Sequence, residues 1–324
     1  MIMTRRRLLR ASAATSLAPL LPAPAFALDY PTRPVHWVDD TAPGGSADIV
    51  ARLVGQQLSD QLGQPFIVDN RPGGGGEVGL DAVAHAPADG YTLFVVNSVH
   101  PVHALLFSGT KFDFARDFAT VAGVAIGPLN MLVTPSLPAK TVPEFIAYAK
   151  ANPGKINFAS VGSGSPPHLA GELFKMLAGV DLTHVPYRGG ALALTDLLGG
   201  QVQVLFSNLP ARDYIKTGTL RSLGVTTETR SALTPELPAL AEFVPGYSAT
   251  VWFGVGARKG TPPDIVDKLN AAVGVALMDD KVKAGLAVLD SSPMPLSPAA
   301  LTAMMERETE KWVKVVRAAN IKPD

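Results

Sequence analysis

The sequence contains no cysteine. That excludes disulfides, a thiolate metal site and lipid attachment through an N-terminal cysteine, so the core alone must hold the fold. A chain of 324 residues buries enough surface to do this. Past the first residues there is no run of 18 consecutive apolar side chains, and no membrane-spanning helix is expected. An excess of charge is missing as well. The 28 basic and 28 acidic residues balance, and Arg5, Arg6, Arg7 and Arg10 all lie near the start, which leaves the rest mildly acidic. Such a chain lacks the concentrated positive charge of a nucleic-acid groove, although a local site can still favour a small anion. There is no G-x-S-x-G elbow and no H-E-x-x-H pair. Gly74-Gly75-Gly76-Glu77-Val78-Gly79 fits a dinucleotide fingerprint, but Asn70-Arg71-Pro72 separates it from the preceding strand, so it reads as a chance match. No cofactor and no metal are expected; His100 and His103, three apart, read as loop residues.

What is present begins with the leader. Thr4-Arg5-Arg6-Arg7-Leu8-Leu9-Arg10 precedes a short apolar stretch, Ala11 to Leu21, broken by small polar residues and followed by Ala25-Phe26-Ala27. A charged start, an apolar middle and an A-x-A exit make a secretory signal peptide over residues 1–27, and the paired arginines suit the twin-arginine route. The mature chain is then expected to start at Leu28 and to be a soluble protein of the periplasm.

Beyond it, strands and helices alternate. Val35–Val38 reads as a strand, and Ser46–Leu62 as a helix with apolar residues at helical spacing, stopped by Gly63. Pro65–Asp69 and Thr92–Asn97 read as strands around a short helix, Val78–Ala86. The middle repeats this from Asn130–Thr134 through the helices Val142–Ala151, Pro167–Ala178 and Ala191–Leu198. Two long helical stretches, Pro263–Met278 and Pro298–Ala319, end the chain. The order implies two α/β units in series, each a parallel sheet covered by helices, with the last helices packing back on the first unit.

Three turns carry candidate chemistry. In Pro43-Gly44-Gly45-Ser46-Ala47-Asp48, between strand and helix, glycines allow close backbone approach and the helix start favours an anion. Ser46 or Asp48 can cap that helix, and read alone the turn is simply a capped one. Ser160-Val161-Gly162-Ser163-Gly164-Ser165-Pro166-Pro167-His168 follows the same logic. Because Pro166 and Pro167 lack N–H groups, the Ser163 and Ser165 hydroxyls should matter more there. His168 reads as structural. Tyr187-Arg188-Gly189-Gly190 places Arg188 at a strand end, where it can fork onto a carboxylate or pair with a surface acid. A rival reading is a secreted serine hydrolase using Ser163 or Ser165 with His168. Its weakness is that no third group orients the base.

The chain resembles extracytoplasmic solute receptors of the Bug family, the substrate-binding components of tripartite tricarboxylate transporters. The resemblance rests on collinear stretches. They include Tyr30-Pro31-Thr32-Arg33-Pro34, Asp69-Asn70-Arg71-Pro72-Gly73, Ala88-Asp89-Gly90-Tyr91-Thr92-Leu93, His184-Val185-Pro186-Tyr187-Arg188-Gly189 and Asp196-Leu197-Leu198-Gly199-Gly200-Gln201-Val202. It implies a two-domain periplasmic binding protein that closes like a Venus flytrap. The first domain would hold 28–129 and 251–324, the second 130–250, with two chain crossovers and the ligand cleft between them. It implies a monomer that binds a small carboxylate (a dicarboxylate, tricarboxylate, amino acid or aromatic acid) and meets membrane transporter subunits; a sensor of the same fold is the signalling alternative. The expected ligand contacts are Asp40, Thr41, Gly44, Gly45, Ser46, Asp48, Ser98, Ser163, Gly164, Ser165, Arg188, Gly189, Ser207 and Asn208. Relative to the family pattern, Asp40 stands for a proline, Thr41 for an aromatic residue and Ser207 for a frequent Asp. These changes place an acid, Asp40, at the expected cleft mouth.

Overall fold

Alternation along β1 (Val35–Asp39) sets up the first lobe: Trp37 joins one apolar cluster and Val38 another. Successive side chains of a strand point to opposite faces, so a strand apolar on both needs cover on both. The structure is a computed structural model that describes residues 29–106, 110 and 112–321. The expected leader, 1–27, lies outside them.

The first lobe continues through α1 (Ser46–Leu62), β2 (Phe66–Asn70), α2 (Glu77–Ala84), β3 (Thr92–Asn97), two helical turns α3 (His103–Leu106) and α4 (Phe114–Asp117), and β4 (Phe118–Pro128). The second lobe follows as β5 (Asn130–Val133), α5 (Val142–Ala151), β6 (Asn157–Ser160), α6 (Pro166–Ala178), β7 (Thr183–Pro186), α7 (Gly190–Leu198), β8 (Val204–Ser207), α8 (Arg212–Lys216) and β9 (Arg221–Val225). The chain returns as β10 (Thr250–Arg258), α9 (Pro263–Ala276), α10 (Asp280–Val288), β11 (Ser292–Pro293) and α11 (Pro298–Ala318). One sheet has the order β11-β4-β10-β3-β1-β2 and the other β7-β6-β8-β5-β9. The expected parallel sheets are mixed ones: β1 runs parallel to β2 and β3, and β6 to β7 and β8, but β10 is antiparallel to β3 and β4, and β5 to β8 and β9, because these strands belong to the chain's crossings between lobes.

In the first lobe, Val50, Val54 and Leu58 of α1 and Leu269 and Val273 of α9 cover one face with Trp37, Leu93 and Val95. Leu80 and Val83 of α2 and Leu301 and Met305 of α11 cover the other with Val38, Phe94 and Val96. In the second lobe, Ala193 and Leu197 of α7 cover Ala159 and Leu205. Its opposite face, with Phe158, Phe174 and Phe206, belongs to the same cluster as Trp37, joined through Leu129, Met131, Tyr247 and Val251. The two lobes therefore share one continuous core.

The crossings are stitched together. Leu129 N–H donates to Thr226 Oγ1 at 2.7 Å, and Thr226 N–H donates to Leu129 O at 2.9 Å. Beside them Asp290 accepts from Asn130 Nδ2 at 2.8 Å and from Arg212, a first-lobe carboxylate holding two second-lobe donors. The sequence expectation ran one helix from Pro263 to Met278. The structure ends α9 at Ala276, and the Asp279 carboxylate caps a separate α10 by accepting from the Lys281 and Val282 amides.

Candidate functional site

In both lobes the parallel strands end at the same edge, and those edges face each other. The loop after β1 carries Ser46 and the loop after β8 carries Asn208. Ser46 Oγ donates to Asn208 Oδ1 across the gap at 2.7 Å. A second contact lies nearby: a Cβ added to Gly164 would sit 2.5 Å from Leu106 Cδ1 of the other lobe. Crevices beyond the carboxyl ends of parallel strands are where α/β sheets place ligands. Buried polar atoms without a hydrogen-bond partner among the described residues follow these strand ends: the donors Ser98 Oγ after β3 and Asn208 Nδ2 after β8, and the acceptor Asp40 Oδ1 after β1. Such atoms are uncommon in folded proteins. Ser207 is buried beside Asn208; its Oγ accepts from Leu209 N–H at 3.1 Å, which leaves the hydroxyl proton to donate elsewhere.

The first loop divides its labour. Gly44 turns through φ +80°, and its N–H is taken by Asp48 Oδ2 at 3.0 Å. Asp48 also pairs with Arg52 at 2.8 Å. It thus holds the loop and the start of α1, each carboxylate oxygen meeting a donor of the protein. Gly45, not Ser46, is the N-cap of α1, with no side-chain cap; the Ser46 hydroxyl is used across the lobes instead. Thr41 Oγ1 and N–H both donate to Asp39 Oδ1, at 2.9 and 3.0 Å, and Asn70 Nδ2 donates to Asp39 Oδ2 at 3.2 Å. Burial and the neighbouring Asp40 charge push the Asp39 carboxyl up to about 7, against the Thr41 donors that favour its charged form.

The expected place of Asp40 at the cleft mouth is corrected. Its side chain is buried, and Oδ2 lies 2.9 Å from Nε2 of the fully buried His100. His100 Nδ1 accepts from Asn97 N–H at 2.9 Å, so Nε2 carries the proton that Asp40 receives. The glycine run explains why Asp40 fits. A Cβ on Gly76 would collide with Asp40 Oδ2, and one on Gly79 would sit 2.8 Å from Asp40 Cβ. Gly76 and Gly79 make room for a buried acid. Sequence reasoning missed this pairing; the signal was two glycines three residues apart at a helix start.

The second turn is tied down from beneath. Ser165 Oγ donates to Gly162 O at 2.6 Å, and Gly164, at φ +79°, donates its N–H to His168 Nδ1 at 2.9 Å. The His168 ring stacks on His184 at 3.7 Å. Ser163 sits half-buried at the head of the turn. Here the hydrolase arrangement fails geometrically, because the Ser165 proton and the His168 Nδ1 lone pair are both engaged within the turn. Arg188 is exposed after β7, the edge strand, two strand positions and thus roughly 10 Å from β8. The adjacent Gly189 is the N-cap of α7 in an extended conformation. The structure therefore brings Ser46 and Asn208 to one seam, with Ser207 beside Asn208, and packs the loop that carries Arg188 against Leu209 and the 162 turn. Among the described residues no group of three or more His, Cys, Asp or Glu could hold a metal, and no helix is long and apolar enough to cross a membrane.

Comparison with known proteins agrees with this architecture. Residues 50–321 match the family described as Tripartite tricarboxylate transporter family receptor. Protein BugT of Bordetella pertussis (strain Tohama I) is 37% identical over 304 residues, covering 93% of each chain. Rpa4515 of R. palustris, solved with adipate, is 38% identical with a TM-score of 0.86 over 91% of this chain and 100% of its own. MatC (Rpa3494) from Rhodopseudomonas palustris, solved with bound malate, is 33% identical with a TM-score of 0.81 over 89% of this chain and 100% of its own. A receptor, not a hydrolase, is what these relatives share with the two-lobed fold and its facing strand edges, and the chain belongs to the tripartite tricarboxylate transporter receptor family.

Proposed function

We propose that this protein captures a small carboxylic acid between its lobes in the periplasm and delivers it to the membrane subunits of a tripartite transporter. The observation that carries the reading is that each lobe leaves a buried, unpartnered donor just after a strand end, Ser98 Oγ after β3 and Asn208 Nδ2 after β8. A carboxylate offers only acceptors, and several of them, so it answers two donors at once. Ser46, Ser207 and the 162–165 turn complete the contact set. Asp40 and Asp48 stay outside it as supports of the loops. Adipate and malate, found with the two solved relatives, support an acid of that size. The leader, read as a twin-arginine signal cut after Ala27, accounts for the location; N-terminal sequencing of periplasmic material checks it.

A thermal-shift panel of adipate, malate, citrate, aspartate and benzoate tests the reading. At about 100 times its dissociation constant a ligand adds roughly 2.7 kcal/mol to the native state, a readily seen shift. Stabilisation by at least one carboxylate, with the acid recovered unchanged, is expected. A flat response to every acid in the panel overturns the proposal.

A further inference from the structure

The turn that precedes α6 is not fixed by a helix cap. Its helix begins with Pro166 and Pro167, which have no N–H, and the N-cap Ser165 makes no side-chain cap bond. Two histidines hold the turn instead. His168 Nδ1 accepts from Gly164 N–H at 2.9 Å. His184 Nε2 lies 2.6 Å from Ser160 Oγ, and that oxygen contacts both Gly162 N–H, at 3.2 Å, and Gly162 O, at 3.1 Å. The two imidazoles stack on each other with 6° between their planes. His168 is 5% exposed.

An imidazole that accepts at Nδ1 must keep that nitrogen unprotonated, so the proton of neutral His168 sits on Nε2. Nε2 is 3.8 Å from Glu172 Oε1, and the same carboxylate oxygen takes the Lys175 ammonium at 2.8 Å. Glu172, paired with Lys175, is an acid that the described residues bring to His168. The other packed element, β6, contributes the uncharged Phe158 ring, against both histidines. The turn also bears on closure, since Gly164 meets Leu106 of the first lobe.

We propose that His168 is a positioning residue for the 162–165 turn, that it works through the Nδ1 lone pair that accepts from Gly164 N–H, and that a side chain unable to accept there releases the turn and weakens ligand capture. The effect on capture rests on the reading above that this turn contacts the bound acid; the effect on the turn does not.

Two measurements test the two parts separately. In the protein without ligand, NMR of ¹⁵N-labelled histidine rings and of the Gly164 amide follows the turn directly, in the parent, in His168→Asn, whose side-chain oxygen can accept in place of Nδ1, and in His168→Phe, which cannot. The Nε2–H tautomer in the parent, with the Gly164 amide resonance kept in His168→Asn and displaced in His168→Phe, is the expected result. An Nδ1–H tautomer in the parent, or a Gly164 amide unchanged in His168→Phe, overturns the proposal whatever binds. Calorimetry with adipate then compares the same three proteins. We expect His168→Asn to bind close to the parent and His168→Phe to lose about tenfold in affinity, equivalent to ~1.4 kcal/mol. Equal affinities for the parent and His168→Phe overturn the link to capture. If adipate does not bind the parent while the Gly164 amide responds to the substitutions as expected, the positioning role stands and the adipate reading fails.

Discussion

Ser46 and Asn208 are 162 residues apart in sequence and joined by a 2.7 Å hydrogen bond. One belongs to the first lobe and the other to the second, so the bond spans the seam proposed to hold the ligand. Asn208 spends its oxygen on Ser46 and keeps its amide hydrogens for something else. Asn208→Ala should therefore weaken the tightest-binding acid of the panel by about 1.5–3 kcal/mol, the range for a hydrogen bond to a charged group. Thermal stability without ligand should change little. Calorimetry and a melt of the same preparation read both; unchanged affinity would remove Asn208 from the site.

Gly164 is the position where backbone conformation and lobe contact coincide. An alanine there meets φ +79° and a Leu106 methyl at 2.5 Å. Left-handed backbone costs a non-glycine residue roughly 1–2 kcal/mol, and the clash opposes the closed arrangement in addition. Gly164→Ala should lower affinity, and Leu106→Ala in the same chain should restore part of it by removing the clash but not the strain. Equal affinities for the single and double variants would show that the two lobes do not meet at this point during binding.

Asp40 bears on stability. Asp40→Ala leaves the buried His100 Nε2–H without its acceptor, at a cost of about 1–3 kcal/mol. Asp40→Asn retains an acceptor and should cost less. Neither should alter the preference between mono- and dicarboxylates at low salt. Urea unfolding gives the first pair of values, and a low-salt binding comparison tests the last; a gain for dicarboxylates in Asp40→Asn would return Asp40 to the cleft.

Asp39 makes a pH prediction. Its carboxyl is raised from 3.8 to about 7 in the folded protein by burial and by Asp40. Between those values the folded state holds a proton that the unfolded chain has released, so this contribution is complete below about pH 4 and is lost as pH rises to about 7. Asp39→Asn removes it. The stability difference between the parent and Asp39→Asn should therefore shift against the parent by roughly 1–4 kcal/mol across that window. A difference independent of pH would mean that Asp39 is already ionised throughout it.

Local pattern made some elements legible and could not make others so. The bounds of α1 follow from apolar spacing and from Gly63, which adopts φ +71° and donates its N–H to Ser59 O. By contrast β4, eleven residues long, is not anticipated from its sequence. It is apolar on both faces and so shows no alternation. Its Gly123 and Gly127 exist because the returning chain passes against them, with Met294 O and Asp290 O within 2.7 Å of where a Cβ would stand. The site divides the same way. The Gly-Ser turns are visible as turns. The pairing of Asp40 with His100, sixty residues on, and the stacking of His168 on His184 are long-range contacts with no local signature. Asn208 follows from family resemblance and not from its neighbours in sequence.

The position of β10 between β3 and β4 has a consequence for how the chain acquires its shape. β3 and β4 do not pair with each other; each waits for a strand that comes after the whole second lobe in sequence. The second sheet, in contrast, is complete once β9 exists. As the chain emerges, the inserted lobe can fold first, while the earlier segment stays with unpaired strand edges until Thr250–Arg258 arrives. The first lobe is thus the late, high-contact-order step, and its open edges are the species most exposed to aggregation during synthesis.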